Sequence, residues 1–172
     1  MNDKRRAIVA ELPRLRRYAR ALMRDPDAAD DLVQDCMERA LLRLDNWQTG
    51  ESPRRWLFTV MHHLFVDQMR KAGRRLEAHQ TAARELDEPA AEPSQMEALA
   101  TREVVDALQE LAPERREAIV LVAVEGMSYA EAATLLGIPT GTLMSRIARG
   151  REDLRNALDR AKRRKTIRVV KE

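Results

Sequence analysis

Five polar side chains in the last third of the chain have the chemistry needed to bind DNA: Thr140, Thr142, Ser145, Arg146 and Arg149. Hydroxyl groups hydrogen-bond to phosphates, and guanidinium groups bind the edge of guanine in the major groove. The sequence therefore predicts that one helix exposes these residues to DNA. An ordinary pair of packed helices produces the same spacing, so the pattern alone leaves that alternative open.

The elements that position these side chains form a predicted helix-turn-helix over residues 128–149. Ser-Tyr-Ala-Glu from Ser128 is a capping box, which fixes the start of the first helix. Gly137 suits the tight turn, because glycine adopts a left-handed backbone conformation without strain. Gly126 predicts a similar stop upstream, and Pro113 predicts the first position of an earlier helix.

An amphipathic helix is predicted in the first half of the chain. Its apolar stripe follows helical spacing and comprises Ala29, Leu32, Val33, Cys36, Met37, Ala40, Leu41 and Leu44. The opposite face is acidic and comprises Asp30, Asp31, Gln34, Asp35 and Glu38. This face either binds a basic partner or faces solvent, as charged helix faces commonly do. Cys36 is expected to be inert packing within the stripe.

Two further helices are predicted around it. Apolar residues recur at helical spacing over residues 8–22, and the segment ends before Pro26. Another segment runs from about Arg54 to Lys71, with a break expected at Gly73. Trp56 is expected in the core because large aromatic side chains beside leucines are usually buried.

The charges are unevenly distributed along the 172 residues. The net charge is +5 over residues 1–75 (16 Lys/Arg, 11 Asp/Glu), −5 over 76–97 (1 and 6) and +3 over 98–172 (14 and 11). Two basic blocks around an acidic spacer indicate two modules that face polyanions, or else two solvated helical faces. No metal site is predicted, because His62 and His63 are adjacent and there is a single cysteine. No pattern typical of catalysis is present.

The stretches Gly-Met-Ser-Tyr-Ala-Glu-Ala-Ala from residue 126 and Leu-Gly-Ile-Pro-Thr-Gly-Thr-Leu-Met-Ser-Arg from residue 136 resemble region four of extracytoplasmic-function (ECF) sigma factors, group 4 of the sigma-70 family. The resemblance implies that this module docks on the polymerase flap and reads the minus-thirty-five promoter element through Thr140, Thr142, Ser145, Arg146 and Arg149. Many relatives carry a basic residue at Met144 and an aromatic residue or His at Ala148. The particular minus-thirty-five sequence therefore does not carry over.

The stretch Asp-Ala-Ala-Asp-Asp-Leu-Val-Gln-Asp from residue 27 resembles the helix of region two that grips the clamp helices of the largest polymerase subunit. The resemblance implies core-polymerase binding by Asp31, Gln34, Asp35 and Glu38. Trp-Leu-Phe-Thr-Val-Met-His-His from residue 56 is similar to the part that opens and reads the minus-ten element. It implies minus-ten DNA binding by Arg54, Arg55, His63, Asp67, Arg70, Lys71 and Arg74. His63 stands where relatives often carry Asn, which leaves the preferred base open.

The sequence thus predicts an all-α protein of two small helical domains. Residues 1–75 form region two, 76–96 a flexible acidic linker, 97–165 region four and 166–172 a basic tail. The resemblance implies a sigma factor that directs transcription initiation, for a stress or environmental-response regulon, with core RNA polymerase, promoter DNA and a cognate anti-sigma factor as partners. No cofactor and no enzymatic activity are predicted. The absence of a signal peptide and of a membrane-spanning segment predicts a cytoplasmic protein, and the resemblance implies a bacterial one.

Two other functions fit parts of the pattern. A stand-alone helix-turn-helix regulator would bind an operator as a dimer and would need no polymerase. An interaction protein would use the acidic helix alone and would show no salt-sensitive DNA binding.

Overall fold

The computed structural model describes residues 3–47, 51–78 and 95–169, and every regular element within them is helical, which confirms the all-α prediction. The α-helices are α1 (Asp3–Ala10), α2 (Leu12–Leu22), α3 (Pro26–Leu42), α4 (Pro53–Ala78), α5 (Gln95–Gln109), α6 (Pro113–Ile119), α7 (Tyr129–Leu136) and α8 (Thr140–Val169). A 3-10 turn lies at Leu44–Asn46, and a π-helical turn at Val120–Val124 continues α6. None of the helices in these residues has an apolar stretch long enough to cross a bilayer.

The chain divides into two compact units, one of Met1–Ala19 with Pro26–Ala90 and the other of Arg20–Asp25 with Ala91–Glu172. Most of the predicted linker, residues 79–94, lies outside the described residues, as do residues 170–172 of the predicted tail. Residues 20–25 fall within the predicted first domain but belong to the second unit.

The first unit has a core built from the apolar faces of its helices. On α3 the buried residues are Ala29, Leu32, Val33, Cys36 and Ala40, and on α4 they include Leu57, Phe58, Met61 and Phe65. Tyr18 packs against Phe58 with 4.7 Å between ring centroids. The predicted stripe of α3 is therefore confirmed over most of its length. It is wrong at Leu41, which is 44% exposed because it lies at the edge of this face.

Three further details of the first unit differ from the prediction. The segment over residues 8–22 is two helices that separate at Glu11, because Pro13 lacks a backbone N–H and fits the first turn of a helix but not its interior. No break occurs at Gly73, since α4 continues to Ala78 and an interior glycine costs a helix only about 1 kcal/mol. Trp56 is half-buried rather than fully buried, and its ring stacks on the buried Trp47.

The second unit confirms the predicted helix boundaries. Pro113 begins α6, and Gly126 and Gly137 have φ values of 67° and 64°. The capping box at Ser128 is complete, because its Oγ accepts a hydrogen bond from the Glu131 N–H while the Glu131 carboxylate accepts one from the Ser128 N–H. These local signals place α7 and α8 as a helix-turn-helix pair.

Arg116 lies buried at the centre of the second unit. Its guanidinium donates hydrogen bonds to the backbone carbonyls of Leu22, Gln109 and Leu111. Gln109 in turn donates to the carbonyls of Ala21 (3.0 Å) and Met23 (3.1 Å). These bonds satisfy carbonyls that a helix end leaves without intrahelical partners, which explains why residues 20–25 belong to this unit.

Candidate nucleic-acid and protein interfaces

The acidic surface of α3 consists of Asp31, Gln34, Asp35 and Glu38, and all four side chains are exposed. They lie opposite the buried stripe of the same helix, so the packing of the core fixes the direction of this face. The Gln34 amide donates a hydrogen bond of 3.3 Å to the Glu38 carboxylate. The surface therefore has the charge to bind a basic partner.

Sequence reasoning missed Leu42, which extends the acidic surface. Asp31, Asp35, Glu38 and Leu42 follow one another at steps of four, three and four residues, so they form one stripe along α3. Leu42 is 87% exposed. The same spacing that placed the carboxylates could have identified it.

The polar stripe of α4 consists of Arg55, His63, Asp67, Arg70 and Arg74, and all of these side chains are exposed. Their steps of eight, four, three and four residues keep them on one side of the helix, opposite the buried Leu57, Phe58 and Met61. The stripe is about 28 Å long, since a helix rises 1.5 Å per residue. Lys71 is exposed beside it. The structure therefore brings six of the seven predicted minus-ten residues to one side of α4.

Arg54 is the exception among these residues. Its side chain is half-buried, and its guanidinium lies 5.8 Å from the centre of the Phe58 ring, on the side of α4 away from the polar stripe. This contact is a cation–π interaction. Its position indicates a role in packing within the first unit.

The outward face of α8 carries Thr142, Ser145 and Arg149 as exposed side chains, while Thr140 is exposed as the first residue of the helix. Leu143 and Ile147 are buried and fix the orientation of this face. The Ser145 hydroxyl donates a 3.0 Å hydrogen bond to the Gly141 carbonyl. Because a hydroxyl has one hydrogen, Ser145 in this conformation can accept from a base amino group but cannot donate to a phosphate.

Three neighbouring side chains, Arg146, Met144 and Ala148, also determine the chemical character of the outward face of α8. Arg146 is half-buried, so it flanks the outward face instead of lying at its centre. Met144 is 52% exposed and Ala148 is also exposed. Met144 and Ala148 therefore form an apolar edge on one side of Ser145, and Arg149 and Arg146 lie on the other side.

Comparison with known proteins identifies both halves of the chain. The family model for the sigma2 domain of PhyR matches residues 8–62, and the model for sigma-70 region 4 matches residues 101–154. The ECF RNA polymerase sigma factor EcfG of Rhodopseudomonas palustris is 39% identical over 148 residues, which cover 86% of this chain and 80% of that protein. The RNA polymerase sigma factor CarQ of Myxococcus xanthus is 31% identical over 146 residues, covering 85% and 83% of the two chains.

Solved structures agree with these relatives. The sigma factor RpoE from Bartonella quintana, in complex with the anti-sigma factor NepR, superposes with a TM-score of 0.81 at 34% identity and covers 92% of this chain and 98% of that one. CnrH in complex with the cytosolic domain of CnrY superposes with a TM-score of 0.63 at 28% identity, over 88% and 84% of the two chains. The chain belongs to the family of ECF RNA polymerase sigma factors.

Proposed function

We propose that each surface described above performs one step of promoter-specific initiation. The acidic surface of α3 binds basic side chains on the clamp helices of the largest polymerase subunit. The observation that supports this step is the alignment of three exposed carboxylates on one face of a helix whose other face is core. Like charges so arranged favour a basic partner and speed its association.

The polar stripe of α4 binds the minus-ten element. Arg55, Arg70 and Arg74 hold phosphates, while His63 and Asp67 lie between them with groups that can hydrogen-bond to an unpaired base. Strand opening costs a few kcal/mol per flipped base, which such contacts offset. Arg54 stays a predicted phosphate contact, although its guanidinium also lies 5.8 Å from the centre of the Phe58 ring.

The outward face of α8 enters the major groove at the minus-thirty-five element. Arg149 is the residue on this face best suited to bind guanine O6 and N7, while Thr140 and Thr142 bind phosphates. Ser145 accepts a hydrogen bond from a base amino group. The chain itself catalyses nothing in this scheme, because the polymerase performs the chemistry.

A reconstituted transcription assay tests the proposal as a whole. Purified core RNA polymerase without any other initiation subunit is supplied with this protein and a library of genomic templates. We expect transcripts from a defined set of start sites that share two upstream elements. A stand-alone operator-binding regulator would bind DNA as tightly without polymerase and would add no start sites, and that result would refute the proposal.

The role of the acidic surface has its own test. We expect Asp35→Arg to weaken binding to core polymerase, because it places a positive charge opposite basic side chains. Asp45→Arg is the matched control, since Asp45 is also exposed in the first unit but lies in the 3-10 turn outside the acidic surface. Equal core affinity of the two variants would remove this role from α3.

We also propose that an anti-sigma factor holds this protein inactive. The support is the likeness to RpoE of Bartonella quintana, which was solved with the anti-sigma factor NepR. A NepR-like protein from the same organism is expected to compete with core polymerase for the chain in a binding titration. Simultaneous binding of both would contradict the proposal.

A further inference from the structure

Leu42 has an unusual environment for a leucine. Its exposed fraction is 87%, whereas the other large apolar side chains that stand out as exposed in the described residues range from 42% to 52%. The neighbouring Leu41 is 44% exposed, so the end of α3 carries two adjacent leucines that contribute little to the core. Single exposed apolar residues are common on protein surfaces, and exposure alone therefore carries no function.

The position of Leu42 distinguishes it from a scattered surface residue. It lies in line with Asp31, Asp35 and Glu38, one helical turn beyond Glu38, on a stripe about 16 Å long. Leu42 contributes almost nothing to the core of the first unit, whereas Ala40 and Leu44, two residues away on either side, are buried. The stripe is thus three carboxylates followed by one large apolar group.

We infer that Leu42 is the apolar anchor of the surface with which this protein binds core RNA polymerase. The inference rests on the proposed role of the acidic surface. A partner helix that lies along this stripe meets the carboxylates with basic side chains and must meet Leu42 next. The occupant is accordingly a polymerase surface on which basic residues lie beside an apolar pocket.

An apolar anchor beside charged residues is a common arrangement at protein interfaces. A buried apolar anchor supplies much of the affinity, while exposed charges at the rim supply association rate and specificity. Because Leu42 is exposed before binding, its burial at the interface is a net gain and removes an unfavourable contact with water.

The test measures the affinity of full-length variants for purified core polymerase. Leu42→Ser is expected to weaken binding about tenfold, and Leu42→Met, which keeps the apolar area, to stay within about twofold of the original. Val9→Ser is the matched control, since Val9 is an exposed apolar residue on α1 of the first unit and lies outside the acidic surface. Thermal unfolding of each variant should be unchanged, because none of these side chains is buried.

Salt dependence separates the anchor from the carboxylates. The affinity ratio between the original protein and Leu42→Ser should be the same at low and high salt, whereas the ratio for Asp35→Arg should shrink as salt screens the charges. If Asp35→Arg weakens binding and Leu42→Ser does not, this inference fails while the proposed function stands. If neither variant weakens binding, the proposed role of the acidic surface fails as well. If Leu42→Ser only converts a dimer to a monomer, the occupant is a second copy of the chain and the inference is wrong.

Discussion

Arg115 and Arg116 are adjacent in the sequence but have different physical roles. Arg115 pairs with Asp153 at 2.6 Å, and both side chains are more than a third exposed. Arg116 is 8% exposed and donates to three backbone carbonyls. Burial lowers the pKa of Arg116 from its usual range, and the positive charge of Arg24 lowers it further. The buried guanidinium of Arg116 therefore stabilises the second unit by hydrogen-bonding three backbone carbonyls.

We expect Arg116→Met to destabilise the second unit by about 2 kcal/mol or more, because the buried carbonyls lose their donor. Arg115→Met should cost less than about 1 kcal/mol, since exposed ion pairs contribute little. Chemical denaturation of the two full-length variants, followed by circular dichroism, measures the difference. Equal stability of the two variants would contradict the central role of Arg116.

Cys36 provides a second prediction at the level of single residues. Its side chain is fully buried, and its Sγ lies 3.6 Å from the Leu57 carbonyl. Burial raises the pKa of the thiol to about 12, while nearby Arg39 lowers it by a smaller amount. Because the thiolate is the reactive form, the native protein should not react with a thiol reagent at pH 8.

Denatured protein should instead react with one equivalent of reagent per chain, since Cys36 is the single cysteine. The raised pKa also has a consequence for stability. Between the unfolded value of 9.0 and the folded value of about 12, only the unfolded state loses the proton, so stability should fall as the pH rises through this range. Rapid labelling of the native protein at pH 8 would show that this part of the core opens readily.

Helix packing gives two glycines opposite roles. A Cβ added at Gly150 of α8 would lie 2.7 Å from the Ile119 Cδ1 and 3.3 Å from the Arg115 Cβ, so this glycine allows α8 to approach α6 closely. A Cβ added at Gly73 of α4 would meet no atom within 4 Å among the neighbours considered. Packing therefore requires a glycine at position 150. The glycine at position 73 is not required by packing and slightly destabilises α4.

We expect Gly150→Val to destabilise the second unit by about 1–3 kcal/mol, because the added atoms overpack the contact between α6 and α8. Gly73→Ala should stabilise α4 by about 0.5–1 kcal/mol, since alanine loses less conformational freedom in a helix. Thermal denaturation of the two variants measures both effects. A loss of stability in Gly73→Ala would mean that residue 73 needs conformational freedom.

Local chemistry decided which elements could be predicted from the sequence. Gly126, Gly137 and the capping box at Ser128 were placed correctly because each encodes its own backbone geometry. Leu41 was assigned to the core incorrectly and Trp56 is only partly buried, because their burial depends on neighbouring helices that periodicity does not reveal. The contact of Arg54 with Phe58 also follows from the packing of the first unit, and the minus-ten role of Arg54 stays a prediction.

The whole molecule combines surfaces of opposite charge. The acidic surface of α3 suits a protein partner, whereas the polar stripe of α4 and the outward face of α8 suit DNA. The resemblance to a known family predicted these surfaces from the sequence, and most of the side chains assigned to them are exposed in the structure. Neither the resemblance nor the spacing revealed the exposed Leu42, because a polar face is recognised by its polar residues and Leu42 is apolar.

Separate surfaces predict separable defects. We expect Arg149→Ala to weaken promoter binding by the assembled polymerase about 10- to 100-fold, since one guanine contact is worth about 1–3 kcal/mol, while leaving core affinity unchanged. Asp35→Arg should reduce core affinity, and promoter affinity should be normal once excess protein has saturated the polymerase. In the double variant the two losses should multiply, because the residues share no contacts. Binding titrations with core polymerase and with promoter DNA measure the two affinities independently. A loss of core affinity in Arg149→Ala as large as that in Asp35→Arg would mean that α8 binds the enzyme and not the minus-thirty-five element.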